Sequence, residues 1–191
     1  MSKKLKIQKQ NIRNIMRNYR KQLTENDLLV YSNNLTKIVL KSALVHRASK
    51  IGIFWSFDKE IDTKILINEL FLNNKEIYLP VIAKKHIHKL IFVRYYPNTF
   101  LKKNHFNIYE PLINRKEIIT LEELDILFVP LVAYDPYGYR LGMGGGFYDN
   151  ILQNSKKTFF TIGLGYDFQC IKQIPVEPWD IPLQHIISIT K

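Results

Sequence analysis

Asp135-Pro-Tyr-Gly-Tyr-Arg-Leu-Gly-Met-Gly-Gly-Gly-Phe-Tyr-Asp149 follows directly on Ile126-Leu-Phe-Val-Pro-Leu-Val-Ala-Tyr134, and the two stretches read together decide the fold. The first is apolar and β-favouring and reads as a buried strand; the second leads into a short helix over Phe147 to Gln153. Five of the eight glycines lie between Gly138 and Gly146. A glycine-rich turn between a strand and a helix suits an anion, because freely oriented backbone N–H groups and the open helix start both present partial positive charge. Two common phosphate motifs fail: Gly142 is not followed by the Gly-Lys-Ser/Thr trio of a P-loop, and Phe147 stands where the third glycine of a dinucleotide fingerprint belongs. What remains is a phosphate-sized cradle with Arg140 before it and Asp149 after it.

Outward from that loop, strands and helices alternate. A basic helix over residues 5–23 carries an apolar stripe of Ile12, Ile15, Met16, Tyr19 and Leu23, with Lys9, Arg13, Arg17 and Arg20 beside it. Thr24 caps a second helix running to about Lys41, whose apolar face is set by Leu28, Leu35, Ile38 and Val39. Lys50 to Trp55 is the first strand, Asp62 caps a helix from Thr63 to Asn73, and Glu76 to Pro80 is the next strand, a β-α-β unit that predicts parallel pairing. Leu90 to Tyr95 is a further strand, Ile108 to Pro111 ends a loop, and Thr158 to Leu164 and His185 to Ile189 complete the pattern. The fold expected is α/β: one three-layer domain over residues 1–191, with a mostly parallel central sheet flanked by helices and two N-terminal helices before the first strand. Its ligand site belongs at the carboxyl ends of the strands.

Composition agrees with a cytoplasmic globular protein, 46% hydrophobic and 24% charged. No signal peptide or membrane span is expected, since the longest apolar run is broken by Pro130. The single cysteine excludes an internal disulfide, and Cys170 in its apolar context reads as a small buried hydrophobe. His86 and His88 have ligand spacing, but no third ligand is near them. The net charge of +11 raises nucleic acid as a partner. Its distribution is uneven, because eight cations (Lys3, Lys4, Lys6, Lys9, Arg13, Arg17, Arg20, Lys21) precede Glu25, the first acid. Such a cluster could meet RNA, a membrane surface or the phosphates of a small ligand. Polar residues gather after three strands, at Ser56 to Glu60, Asp135 to Asp149 and Glu177 to Asp180. Asp149 and Asp180 could hold Mg²⁺, a hard cation content with one or two carboxylates plus water and phosphate oxygens; Asp180 also reads as a turn residue before Pro182.

Pro130-Leu-Val-Ala-Tyr-Asp135 with Gly138 to Asp149 closely resembles the signature of the 5-formyltetrahydrofolate cyclo-ligase (methenyltetrahydrofolate synthetase) family. Lys9-Gln-Asn-Ile-Arg13, Arg20, Glu60-Ile-Asp-Thr63, Leu79-Pro80, Tyr109-Glu-Pro111 and Trp179-Asp180 fall in that family's order. The resemblance implies an ATP- and Mg²⁺-dependent closure of 5-formyltetrahydrofolate to 5,10-methenyltetrahydrofolate, with ADP and phosphate released. It implies ATP contacts from Lys9, Gln10, Asn11, Ile12 and Arg13 on the helix. From the loop it implies contacts from Arg140, Leu141, Gly142, Met143, Gly144, Gly145, Gly146, Phe147 and Tyr148, with Arg140 and Lys9 as catalytic groups. Trp55, Glu60 and the Met143 to Phe147 backbone (Met143, Gly144, Gly145, Gly146, Phe147) would face the folate, and Asp149 and Asp180 the metal. Met143 departs from the family, which often has a basic or aromatic residue there, so the backbone rather than that side chain is expected to act. The small-molecule partners implied are ATP and the formyl folate, with no nucleic acid or membrane and a monomeric state expected. An RNA-binding module would also use the charge, although no recognised RNA-binding signature is present, and a sugar-phosphate binder would explain the cradle but not Lys9 to Arg13.

Overall fold

A computed structural model describes residues 3–83, 89–155 and 158–191, so the histidine pair at 86 and 88 lies outside the described residues. Helix α1 (Lys3–Gln22) and helix α2 (Glu25–Leu40) open the chain, joined at Thr24 by a capping box in which the Asp27 amide and the Thr24 hydroxyl, and in return the Thr24 amide and the Asp27 carboxylate, are paired. A five-residue helix, α3 (Ala43–Arg47), precedes the first strand; it is too short to show a helical period in sequence. The face of α1 differs from expectation. Ile15 and Tyr19 are each 52% exposed, whereas Lys9, Met16 and Arg20 are buried. Ile38 of α2 is likewise exposed, beside a fully buried Leu35 and Val39.

Strand β1 (Lys50–Gly52), helix α4 (Lys64–Leu72) and strand β2 (Glu76–Ile82) form the expected β-α-β unit, with β1 and β2 parallel. The first strand is shorter than expected and ends at Gly52. Thr63 holds the cap position of α4, yet Asp62 Oδ1 still accepts the Lys64 amide at 3.1 Å. Strand β3 (Leu90–Tyr95) returns antiparallel to β2. A small hairpin follows, β4 (Leu101–Lys103) with β5 (Tyr109–Pro111), where a loop end was expected. Next come β6 (Ile118–Ile119), β7 (Ile126–Pro130), a second hairpin of β8 (Ala133–Tyr134) and β9 (Arg140–Leu141), helix α5 (Phe147–Asn154), β10 (Phe160–Tyr166) and β11 (His185–Ile189).

The main sheet has the order β11-β10-β7-β1-β2-β3-β6, and its first five strands are mutually parallel. Leu35, Val39, Leu66, Ile67 and Leu70 of α2 and α4 pack on one face with Ile51, Ile77 and Phe128. Ile151 and Leu152 of α5 pack on the other with Leu127, Val129 and Phe92. A third, smaller cluster joins Met16 of α1 to Val132, Ala133 and Leu141, docking α1 on the second hairpin. Cys170 is exposed rather than buried, on a segment outside the main sheet that is bridged to Tyr134 of the second hairpin.

The run from Ile126 to Tyr134 is therefore not one strand. Pro130 has no amide to continue the ladder, and the chain leaves the sheet there. Val132 then donates to the Leu141 carbonyl at 2.7 Å, and the second hairpin folds the glycine stretch back over the strand end. Asp135, almost wholly buried, closes this hairpin: Oδ1 accepts the amides of Tyr137 and Tyr139, both at 3.0 Å, and Oδ2 accepts that of Ile174 at 2.9 Å. Gly138 (φ +86°) lies so close to the Leu183 carbonyl that an added Cβ would fall 2.5 Å from its oxygen. Each orphaned amide costs about 1–3 kcal/mol, so Asp135→Ala is expected to lower the unfolding free energy by at least about 3 kcal/mol. Urea denaturation monitored by circular dichroism checks this, and a loss under about 1 kcal/mol would show that Asp135 does not hold the hairpin.

Candidate active site

The glycine loop leaves the second hairpin at Leu141 and enters α5 at Phe147. Gly144 (φ +102°) and Gly146 (φ +68°) have left-handed backbones that few other residues adopt, and Gly146 is the cap position of α5. A Cβ added at Gly142 or Gly146 would meet nothing within 4 Å, so the loop borders open space. At Gly145 it would strike the Phe147 ring, at 2.7 Å. That ring is met edge-on by Phe106 from the tip of the first hairpin, with centroids 6.1 Å apart. Glu110 anchors the hairpin by accepting the Ile82 amide and the Asn104 side chain.

Helix α1 crosses the same opening with Lys9 and Arg13 turned inward. Arg13 Nε donates to the Gly142 carbonyl at 2.8 Å, and the Arg13 guanidinium lies where a Gly144 side chain would begin, 3.3 Å from that Cβ position. Burial lowers the Arg13 pKa, against the pull of nearby Asp180. Lys9 Nζ meets Asp180 Oδ2 at 2.6 Å, and the same oxygen accepts the Glu177 amide at 2.9 Å. Arg140 spans two segments, with Nη2 on Asp149 Oδ1 at 2.8 Å and Nη1 on the Ile181 carbonyl at 2.9 Å. Lys9, Arg13, Arg140, Asp149 and Asp180 are thus drawn around one loop. Ile12 packs into the small cluster beneath α1, whereas Gln10 and Asn11 face outward, Gln10 bonding Asn14 along the helix.

A second polar centre lies after β1. Asp58 and Lys59 take successive left-handed backbones (φ +51° and +52°), a conformation that costs on the order of 1 kcal/mol for each non-glycine residue. It is held from several sides. Asp58 Oδ2 accepts Arg17 Nε at 2.7 Å and Arg20 Nη2 at 2.6 Å, Lys59 Nζ donates to the Lys21 and Leu23 carbonyls at the end of α1, and the Tyr166 hydroxyl donates to the Lys59 carbonyl. The turn delivers Glu60, 5% exposed, whose Oε2 accepts the Phe57 amide at 3.3 Å. Burial pushes the Glu60 carboxyl up to about 7, opposed mainly by the Arg20 guanidinium, whose Nη1 lies 3.9 Å from Oε1. Burial and the field of Glu60 also raise the Tyr148 hydroxyl, which ties this centre to the first turn of α5. Trp55 packs half-buried on the principal core with its ring 5.8 Å from Tyr95.

Sequence reasoning placed Asp58 and Asp135 within the polar stretches that follow two strands but gave neither a role, and it did not single out Phe106. Asp135 sits inside the quoted motif but acts only on backbone, and Asp58 depends on two successive left-handed residues, which Asp tolerates but Lys59 does not signal. Arg20 left two traces, its place with Lys9, Arg13 and Arg17 on one helix face and its position in the family's order. Among the described residues, no group of three or more His, Cys, Asp or Glu converges as a metal cage. Asp149 and Asp180 each carry one oxygen in an ion pair, with Arg140 and Lys9 respectively, and are the carboxylates at the loop that could take a hard cation. Two shallow clefts of about 310 and 320 Å³ lie at the opposite ends of the strands, beside Leu44, Phe160 and Gln184, away from all of these groups. No helix among the described residues is long and apolar enough to cross a membrane.

Comparison with known proteins bears on this arrangement. A model of the 5-formyltetrahydrofolate cyclo-ligase family matches residues 5–189. The chain is 44% identical over 180 residues to the 5-formyltetrahydrofolate cyclo-ligase of Haemophilus influenzae, covering 94% of this chain and 96% of that one. It is 43% identical over 146 residues to the enzyme of that name from Escherichia coli K12, covering 75% and 80% respectively. Its fold is similar to the solution structure of Aquifex aeolicus 5,10-methenyltetrahydrofolate synthetase, with a TM-score of 0.81, 28% identity, and coverage of 94% of this chain and 89% of that one. The glycine loop, the inward-facing basic helix and the buried carboxyl after the first strand accordingly sit in a chain that belongs to the 5-formyltetrahydrofolate cyclo-ligase family of enzymes.

Proposed function

We propose that this enzyme converts 5-formyltetrahydrofolate and ATP to 5,10-methenyltetrahydrofolate, ADP and phosphate. The observation that carries the reading is the seating of Arg13 on the Gly142 carbonyl and against Gly144, which sets the cations of α1 beside a glycine cradle open enough for phosphates. A formamide oxygen is a poor leaving group. In the proposed reaction that oxygen attacks the γ-phosphorus, the bond to ADP breaks, and the formyl carbon gains a phosphate leaving group. The lone pair of N10 then attacks the carbon, the C–O bond breaks as phosphate departs, and N10 gives up its proton to solvent. Phosphoryl transfer of this kind depends chiefly on positioning and charge neutralisation. Lys9, Arg13, Arg140 and the amides of Gly142 to Tyr148 are the groups available for it. Mg²⁺, which Asp149 and Asp180 would hold, would supply further neutralisation of phosphate charge.

Glu60 suits the folate side of the site. A buried carboxylate that already accepts one amide has lone pairs left for the N–H donors of a pterin, and Trp55 and the backbone of Met143 to Phe147 would flank that ring. The site then holds two substrates of opposite demand, with cations for the nucleotide and an anion for the pterin. The direct test is ATP-dependent growth of methenyltetrahydrofolate absorbance when the formyl substrate is added. No growth with folded enzyme, ATP and Mg²⁺ would overturn the reading.

Two sets of variants separate the halves of the site. Lys9→Ala and Arg13→Ala are each expected to raise the KM for ATP about tenfold, the equivalent of roughly one charge-assisted hydrogen bond, and to raise the KM for folate less. Lys3→Ala and Lys4→Ala, on the exposed start of α1, should change little. Glu60→Gln places a donor where an acceptor is required and is expected to raise the folate KM at least about tenfold, with the KM for ATP nearly unchanged. The same variant has a stability signature. Because the folded Glu60 pKa is raised to about 7, the folded state holds a proton that the unfolded chain releases near the ordinary carboxylate value. Ionisation therefore destabilises the native enzyme as pH rises through that window. Glu60→Gln should stabilise the protein by up to about 3 kcal/mol at pH 8, a gain that vanishes towards pH 4.5 and is read from urea unfolding at both pH values.

A further inference from the structure

We infer that Arg20 is a positioning residue for Glu60, a counter-charge held close enough to favour the ionised carboxylate against its burial but too far to occupy its lone pairs. The inference rests on the reading of Glu60 as the folate acceptor. Arg20 has no exposed surface at all, and among the described residues its Nε and Nη1 have no hydrogen-bond partner. Only Nη2 is engaged, on Asp58 Oδ2 at 2.6 Å, while Nη1 stops 3.9 Å from Glu60 Oε1. A buried guanidinium with unpaired donors is expensive, so its retention in this geometry calls for a reason. A direct bidentate pair would satisfy both side chains and consume the oxygens that a ligand must reach. At 3.9 Å the Coulomb attraction persists in a buried setting and the acceptor sites remain open.

The clasp on Asp58 sets that separation. Arg17 and Arg20 share Asp58 Oδ2, Lys59 is tied to the end of α1, and the resulting left-handed turn fixes where Glu60 begins. The charged and titratable groups around Glu60 come from each element packed on it: Arg20 from α1, Asp58 from its own turn, Tyr148 from α5 and Tyr166 at the end of β10. Arg20 favours the carboxylate; Asp58 opposes it. The two therefore act on Glu60 with opposite sign, so neutralising each in turn should move its titration in opposite directions.

The experiment is the pH dependence of kcat/KM for 5-formyltetrahydrofolate, with saturating ATP and Mg²⁺, between about pH 6 and 9. In Arg20→Met the carboxyl keeps its proton to higher pH, so the acidic limb is expected to move up by at least about one unit, with the KM for ATP within about twofold of the parent. Arg20→Lys should return the limb most of the way. Asp58→Asn, which tolerates the left-handed turn, removes the opposing charge and should move the limb down. Glu60→Gln should abolish the difference between the Arg20 and Asp58 variants. A limb that stays in place in Arg20→Met overturns the inference. If Arg20→Met does not fold, Asp58→Asn decides alone, and an unmoved or raised limb overturns it. A Glu60→Gln enzyme with the parent's folate affinity and limb overturns the underlying assignment of Glu60, an outcome distinct from failure of the Arg20 variants.

Discussion

The structure depends on a helix that buries its positive charge. Lys9, Arg13 and Arg20 lie along one side of α1, where their mutual repulsion would disfavour an isolated helix. Each is instead matched by an acceptor from a different part of the chain: Asp180 for Lys9, the Gly142 carbonyl for Arg13 and Asp58 for Arg20. Breaking the match of Lys9 or Arg20 would strand a buried cation, a far larger penalty than losing an exposed ion pair; Arg13 is half-buried. The first helix thereby draws three separate segments to the carboxyl edge of the sheet, and the apolar contact of Met16 with Ala133 and Leu141 fixes its height above them.

The same economy governs the two turns beneath it. Asp135 stitches the hairpin at the exit of β7 using backbone amides alone, while the Asp58-Lys59 turn is held by side chains from α1 and by the Tyr166 hydroxyl. One turn leads into the glycine loop that borders open space, and the other presents a buried carboxyl. At the opening Lys9 is paired with Asp180 and Arg140 with Asp149, while Arg13 is seated on a backbone carbonyl. In the proposed reaction a nucleotide with its metal would enter as a matched pair of charges and exchange partners with these groups.

The excess of basic residues looks different in this light. Part of the N-terminal cluster is committed within the fold, and Arg17 joins Arg20 on Asp58. Lys3, Lys4 and Lys6 remain exposed. A basic composition thus serves internal neutralisation first, which weakens charge alone as an argument for nucleic acid.

The sequence by itself determined the α/β class, the β-α-β unit and the special character of Gly138 to Gly146, because those features rest on local periodicity and on backbone freedom that glycine alone supplies. It also carried the family signature, through residues close together in the chain. The bend at Pro130 was written in the sequence but masked by the apolar run on both sides of it. Which face of α1 turns inward was decided only by the tertiary structure: Ile15 and Tyr19 satisfy a helical stripe, yet Lys9 and Arg20 are buried because partners 171 and 38 residues away outweigh local apolarity. The environment of Glu60 was equally out of reach. Its raised pKa comes from burial by segments distant in sequence, and its 3.9 Å separation from Arg20 accompanies a left-handed turn at Asp58 and Lys59 that contacts from α1 and Tyr166 hold in place.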